Sequence, residues 1–112
     1  GFPIVAGCHN FDFATDDRVL AMAASAERGS EHPMARAIVE AARRKGLDLE
    51  TPRETRTLPG EGVIATLAHG PEIFVGNTRL IEGLGAYFPA RQTIERIEAE
   101  FEGKSLVWVA RR

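Results

Sequence analysis

The sequence predicts an α+β domain built on an antiparallel sheet. Two observations carry that expectation. The hydrophobic spacing is helical over roughly the first half of the chain, then shifts to short alternating or β-branched runs. Those runs are separated by turn-forming Pro59-Gly60 and His69-Gly70-Pro71. A single domain is expected over residues 1–112, because 112 residues with 44% hydrophobic content suit one core.

Element by element, the opening FPIVAG is short, apolar and β-branched, and reads as a strand. Thr15, Asp16 and Asp17 then offer a cap and acidic groups for a helix N-terminus. Val19, Met22, Ala23 and Ala26 recur at i, i+3, i+4 and i+7, so this helix has one apolar face. Arg28-Gly29-Ser30 breaks it. Pro33 suits the first turn of a second helix, where its missing N–H costs nothing. Ala35, Ile38, Val39 and Ala42 line that helix; Arg43, Arg44, Lys45 and Gly46 end it.

TRTLPG, GVIATLA and EIFVG then read as three strands, the last two forming a hairpin. Asn77 caps a short helix through Leu80 and Ile81. Pro89 opens another, with Ile94, Ile97 and Phe101 on one face, and Gly103 closes it before a final strand SLVWVA. An antiparallel sheet with helix pairs on one face fits this order. The chain stops within two residues of its last strand, with no polar tail, and is expected to be a piece of something larger.

Composition removes several function classes. Fourteen basic and sixteen acidic residues leave a net charge of −2, which argues against a nucleic-acid surface. One cysteine, Cys8, builds no disulfide framework. No apolar run approaches the ~20 residues of a membrane span, so this stretch itself is not expected to enter the bilayer. Cys8-His9, His32 and His69 lack metal-ligand spacing, and no metal site is expected. Gly60-x-Gly62 hints at dinucleotide binding, but a strand follows the glycines where that fingerprint needs a helix. No GxxxxGK[ST] phosphate loop is present.

Two patches remain. Glu27-Arg28-Gly29-Ser30-Glu31-His32-Pro33-Met34-Ala35 puts an imidazole and two carboxylates beside the unpaired N–H groups of a helix start. Pro59-Gly60-Glu61-Gly62-Val63 is a side-chain-poor bend against which a ligand can lie. Each has a plainer reading. His32 is an N-cap, Glu27 a solvated helix-end carboxylate, and Gly60 to Gly62 a tight turn. Asn77 is a cap, Ser30 and Glu31 serve the second helix, and Arg36 is a solvated charge.

Taken with Gly76-Asn77-Thr78-Arg79-Leu80, the two patches point further. SEHPMARAI resembles the Ser-Glu-His-Pro-Leu-Ala signature of the nucleotide-binding domain of heavy-metal-transporting P-type ATPases. PGEGV and VGNTRL resemble that domain's Gly-x-Gly and Gly-Asn-x-x-Leu segments, in the same order. Met34 for Leu is the one departure within the signature, and it conserves apolar volume.

The resemblance implies an antiparallel sheet flanked by two helix hairpins, with ATP bound between the His32 corner and the glycine turn. Glu27 and His32 would recognise adenine, and Gly60 and Gly62 would admit its plane. Asn77 would hold the site together or meet the ribose-phosphate side. Ser30, Glu31 and Pro33 would support the corner.

The family's phosphorylated Asp-Lys-Thr-Gly-Thr is missing, so no catalytic residue is expected here; the chain should bind ATP without hydrolysing it. Mg²⁺ would accompany the triphosphate in the full-length protein and is not needed for binding here. The implied setting is a cytoplasmic, monomeric domain of an integral membrane protein. Its partners would be the phosphorylation and actuator domains of the same polypeptide, with copper expected as cargo ahead of zinc, cadmium or cobalt. The rival reading is a small α+β regulatory or protein-interaction module without nucleotide.

Overall fold

A computed structural model of the protein describes residues 4–9, 12–14, 16–84, 91–100 and 105–112. The chain runs β1 (Ile4–His9), β2 (Asp12–Ala14), α1 (Asp17–Glu27), α2 (Pro33–Arg44), β3 (Glu54–Leu58), β4 (Gly62–Thr66), β5 (Glu72–Gly76), α3 (Thr78–Glu82), α4 (Arg91–Glu100) and β6 (Ser105–Arg111). All strands join one antiparallel sheet in the order β2-β1-β6-β5-β4-β3. The α+β class and the antiparallel sheet are as the sequence predicts.

Local chemistry explains the first helix pair. Asp16 caps α1, its Oδ1 accepting from the Val19 N–H at 2.8 Å. Gly46 adopts φ +71 after α2, where the Gly46 and Leu47 N–H groups reach back to the Arg43 and Ala42 carbonyls. Ser25, 3% exposed, donates to the Ala21 carbonyl and accepts from the Glu50 N–H, tying the segment after α2 to α1.

The sheet buries both faces. Val63, Ala65, Ile73, Val75, Val107 and Val109 pack against the apolar stripes of α1 and α2. Ile64, Phe74, Trp108 and Ala110 turn the other way and pack against Leu80 and Ile81 of α3 and Ile94 of α4. The two helix pairs therefore sit on opposite faces, correcting the expectation of one face. The reason is visible in β4, β5 and β6, whose centres are continuously apolar: a strand covered on both sides has no polar face to alternate with. The chain's single tryptophan, Trp108, is fully buried in the α3–α4 layer. Its Nε1–H donates to Thr78 Oγ1, and that hydroxyl donates to Glu98, both at 2.9 Å.

Three further differences concern strands and boundaries. β2 was not expected; three residues are too few to display an alternation. β1 runs to His9, two residues past the predicted strand. β3 and β4 form a hairpin as β4 and β5 do, Leu58 pairing with Gly62. Thr15, Pro89, Phe101 and Gly103 lie outside the described residues. Ile4 pairs with Val109, so the start of β1 and the end of β6 run side by side. Among the described residues no helix is long and apolar enough to cross a membrane.

Candidate functional site

The α1–α2 corner is built by a chain of short local bonds. The Ser30 N–H returns to the Glu27 carbonyl at 3.0 Å, closing the turn after α1. Ser30 Oγ accepts from the His32 N–H, and His32 Nδ1 accepts from the Met34 N–H, both at 3.2 Å. His32 is thus the N-cap of α2, with Pro33 in the first turn. Because Nδ1 is the acceptor, the neutral ring carries its proton on Nε2. The cap fixes the exposed ring at the corner.

Opposite lies the bend between β3 and β4. Gly60 takes φ +75, and the Glu61 N–H donates to the Leu58 carbonyl at 2.9 Å. Asn77 grips this bend from α3. Its Nδ2 donates to the Gly60 carbonyl at 2.7 Å, its N–H donates to the Glu61 carbonyl, and its Oδ1 caps α3 by accepting from the Leu80 N–H. The plain cap reading of Asn77 is therefore correct but incomplete.

Gly62 and Gly76 face each other across β4 and β5. A Cβ on Gly62 would stand 2.1 Å from the Val75 carbonyl oxygen; one on Gly76 would stand 2.2 Å from that of Glu61. This pair lets two backbones approach more closely than any side chain allows. A Cβ on Gly60 would meet nothing within 4 Å, so that position needs glycine only for its positive φ.

Between corner and bend lies a cleft of about 380 Å³, within the usual range for small-molecule sites. Met34, Ile38, Val63, Val75 and Val107 supply aliphatic surface, and Glu27, Ser30, His32, Gly60, Gly62 and Asn77 supply its predicted site residues. Glu31 and Pro33 stay on the exposed corner beside it. Glu61, from the predicted bend, and Ile38, from the apolar face of α2, also line the cleft; Val75 and Val107 do so as well and were not singled out from the sequence. The signal for Val75 and Val107 is the two-residue period of their strands, once the register between β5 and β6 is known.

Glu27 is the unusual group. It is 8% exposed, so the solvated reading of its carboxylate fails. Its side chain has no hydrogen-bond or ion-pair partner among the described residues, and its carboxyl oxygens keep their remaining surface toward the cleft. Burial pushes its carboxyl up to about 7 from the ordinary 4.5. No lysine or arginine lines the cleft among the described residues; the ionisable groups there are Glu27, His32 and Glu61. An apolar slot with one nearly enclosed carboxyl opening onto it suits a flat, mostly apolar ligand that brings a hydrogen-bond donor.

No protein-family model matches the chain. Its sequence is 34% identical over 110 residues to a copper-exporting P-type ATPase of Staphylococcus aureus (strain MRSA252), covering 98% of this chain and 13% of that protein. It is 41% identical over 97 residues to a probable copper-exporting P-type ATPase of Archaeoglobus fulgidus, covering 86% of this chain and 11% of that one. The chain thus spans about an eighth of the length of the curated relatives it matches. Among solved structures, the N-domain of HMA8, a copper-transporting P-type ATPase, superposes with a TM-score of 0.73 at 27% identity, covering 96% of this chain and 86% of that one. Sequence over nearly its whole length and a shared fold agree, and the chain belongs with the N-domains of the heavy-metal-transporting P-type ATPases.

Proposed function

We propose that residues 1–112 form the ATP-binding domain of a metal-transporting P-type ATPase, holding the nucleotide by its base and ribose and presenting the γ-phosphate to an aspartate of a separate domain. The observation that carries this reading is the nearly enclosed Glu27 side chain, whose unpartnered carboxyl opens onto an aliphatic cleft across from the glycine bend. Adenine matches it: a flat ring for the slot and an exocyclic amino group for the acceptor. His32 offers a ring to stack on the purine, a contact worth ~1–3 kcal/mol per base. Asn77 keeps the Gly60–Gly62 bend in place on the ribose side.

The cleft's charge supports a division of labour. With no arginine or lysine lining it among the described residues, the site gives the phosphates little to grip, so they would extend from the mouth. Mg²⁺ would then be bound with the triphosphate by the phosphorylation domain, and transfer to the aspartate would depend on positioning. The chain alone would bind ATP without turnover and remain monomeric. In the intact pump it would lie on the cytoplasmic side, with the phosphorylation and actuator domains as partners. Copper is the favoured cargo, supported by the copper-exporting relatives.

Calorimetric titration tests the reading. ATP and ADP should bind within about tenfold of each other, a difference of at most ~1.4 kcal/mol, with or without Mg²⁺. Amide shifts should centre on residues 27–35 and 60–63. A strict Mg²⁺ requirement, or binding of ATP but not ADP, would contradict the base-centred mode. Absence of any nucleotide-induced shift would favour the interaction module.

A further inference from the structure

We propose, building on the adenine-site reading, that Glu27 engages the base as a neutral carboxylic acid, its carbonyl oxygen accepting from the N6 amino group and its hydroxyl donating to ring N1. The Watson–Crick edge of adenine carries one donor, at N6, beside one acceptor, at N1. An ionised carboxylate is acceptor-only, so it satisfies N6 and sets a lone pair against N1. The acid form offers one acceptor and one donor, matching both. A carboxylate's two acceptors would instead suit the paired N1–H and N2–H donors of guanine. The protonation state of this group therefore bears on which purine is preferred.

The surroundings favour the acid. Glu27 is nearly enclosed, and nothing among the described residues donates to it. From α2 the titratable group facing the cleft is His32; from the β3–β4 bend it is Glu61, a second negative charge; β5 and β6 contribute none among the described residues. Arg28, next in sequence, points away and donates to Thr51 Oγ1 at 2.9 Å and to the Leu49 carbonyl. The carboxyl is already held near half-protonation at neutral pH by burial. A bound base would remove its remaining water, and the polyanionic phosphates would further disfavour a carboxylate.

If the acid is the binding form, nucleotide binding takes up a proton above neutrality. ATP affinity of the parent domain should fall about tenfold between about pH 6 and pH 8. Glu27→Gln supplies a fixed acceptor and donor, so it should hold ATP near the low-pH affinity of the parent. Any pH trend left in that variant does not come from Glu27, and is subtracted. GTP should gain on ATP in the parent as pH rises, and not in the variant. Calorimetry in two buffers of different ionisation enthalpy gives an independent readout, with uptake approaching one proton per ATP near pH 8.

No excess pH dependence over Glu27→Gln overturns the proposal, as does zero proton uptake. A folded Glu27→Gln domain that loses ATP binding more than tenfold also overturns it, leaving the carboxylate as the acceptor and the adenine site intact. Parent-like ATP binding by Glu27→Ala removes the adenine-site reading itself.

Discussion

Replacing Gly62 by alanine puts the close approach of β4 and β5 to a direct test. The new Cβ would lie 2.1 Å from the Val75 carbonyl oxygen and 2.6 Å from the Gly76 Cα, and both are backbone atoms that no rotamer change can move. Forcing the strands apart costs about 1–3 kcal/mol by analogy with overpacked cores. Holding a side-chain-bearing residue at φ +154 adds about 1–3 kcal/mol. The total, roughly 2–6 kcal/mol, is a large share of the ~5–15 kcal/mol that stabilises a typical domain. At about 4 °C per kcal/mol for a domain of this size, Tm should fall by roughly 8–24 °C.

Gly60→Ala is the internal control. It suffers only the positive φ, with open space around the new methyl, and should lose about 1 kcal/mol, some 4 °C. Thermal melts followed by circular dichroism compare the two. A Gly62→Ala domain melting within about 2 °C of the parent, or Gly60→Ala proving the worse, would refute the account.

Other expectations follow from single contacts. Glu27 has a raised carboxyl pKa in the fold, so below about 4.5 it is protonated folded or unfolded and contributes no pH dependence. Between about 4.5 and 7 the folded state binds the extra proton, and stability falls as pH rises, by up to about 3 kcal/mol, levelling off above 7. Chemical denaturation of the parent against Glu27→Gln should show the variant gaining relative stability across that window. His32→Ala should lose about 1 kcal/mol with the cap, while His32→Asn retains the cap. Both should weaken ATP tenfold or more in calorimetry, and parent-like binding by Asn would reduce His32 to a cap. Asn77→Ala should cost about 2 kcal/mol, whereas Asn77→Asp keeps the α3 cap and loses only the bond to Gly60. Faster amide exchange at Gly60 and Glu61 in both variants would show that Asn77 grips the bend.

Features fixed by neighbours in sequence were legible before the fold was known. Asp16, His32, Pro33, Gly46 and Asn77 sit at helix ends where their backbone chemistry alone demands such residues. Features set by strand register were not. That Gly62 meets Gly76 depends on pairing residues fourteen apart, and no local pattern announces it. The burial of Glu27 was hidden for a similar reason: at the end of an amphipathic helix a carboxylate ordinarily faces water, and the bend that encloses it is some thirty residues away. The opposite placement of α3 and α4 could have been read from the unbroken apolar centres of β5 and β6, which a one-sided sheet would not tolerate.

The lone indole of Trp108 gives the domain a built-in optical gauge. It is sealed in the layer that does not contain Glu27 and His32, so its emission should stay blue until α3 and α4 leave the sheet. Backbone ellipticity instead sums over every helix, including the longer pair on the other side. When emission and ellipticity change at the same denaturant concentration, the two layers come apart together; a lag between them means that one half of the sandwich outlives the other.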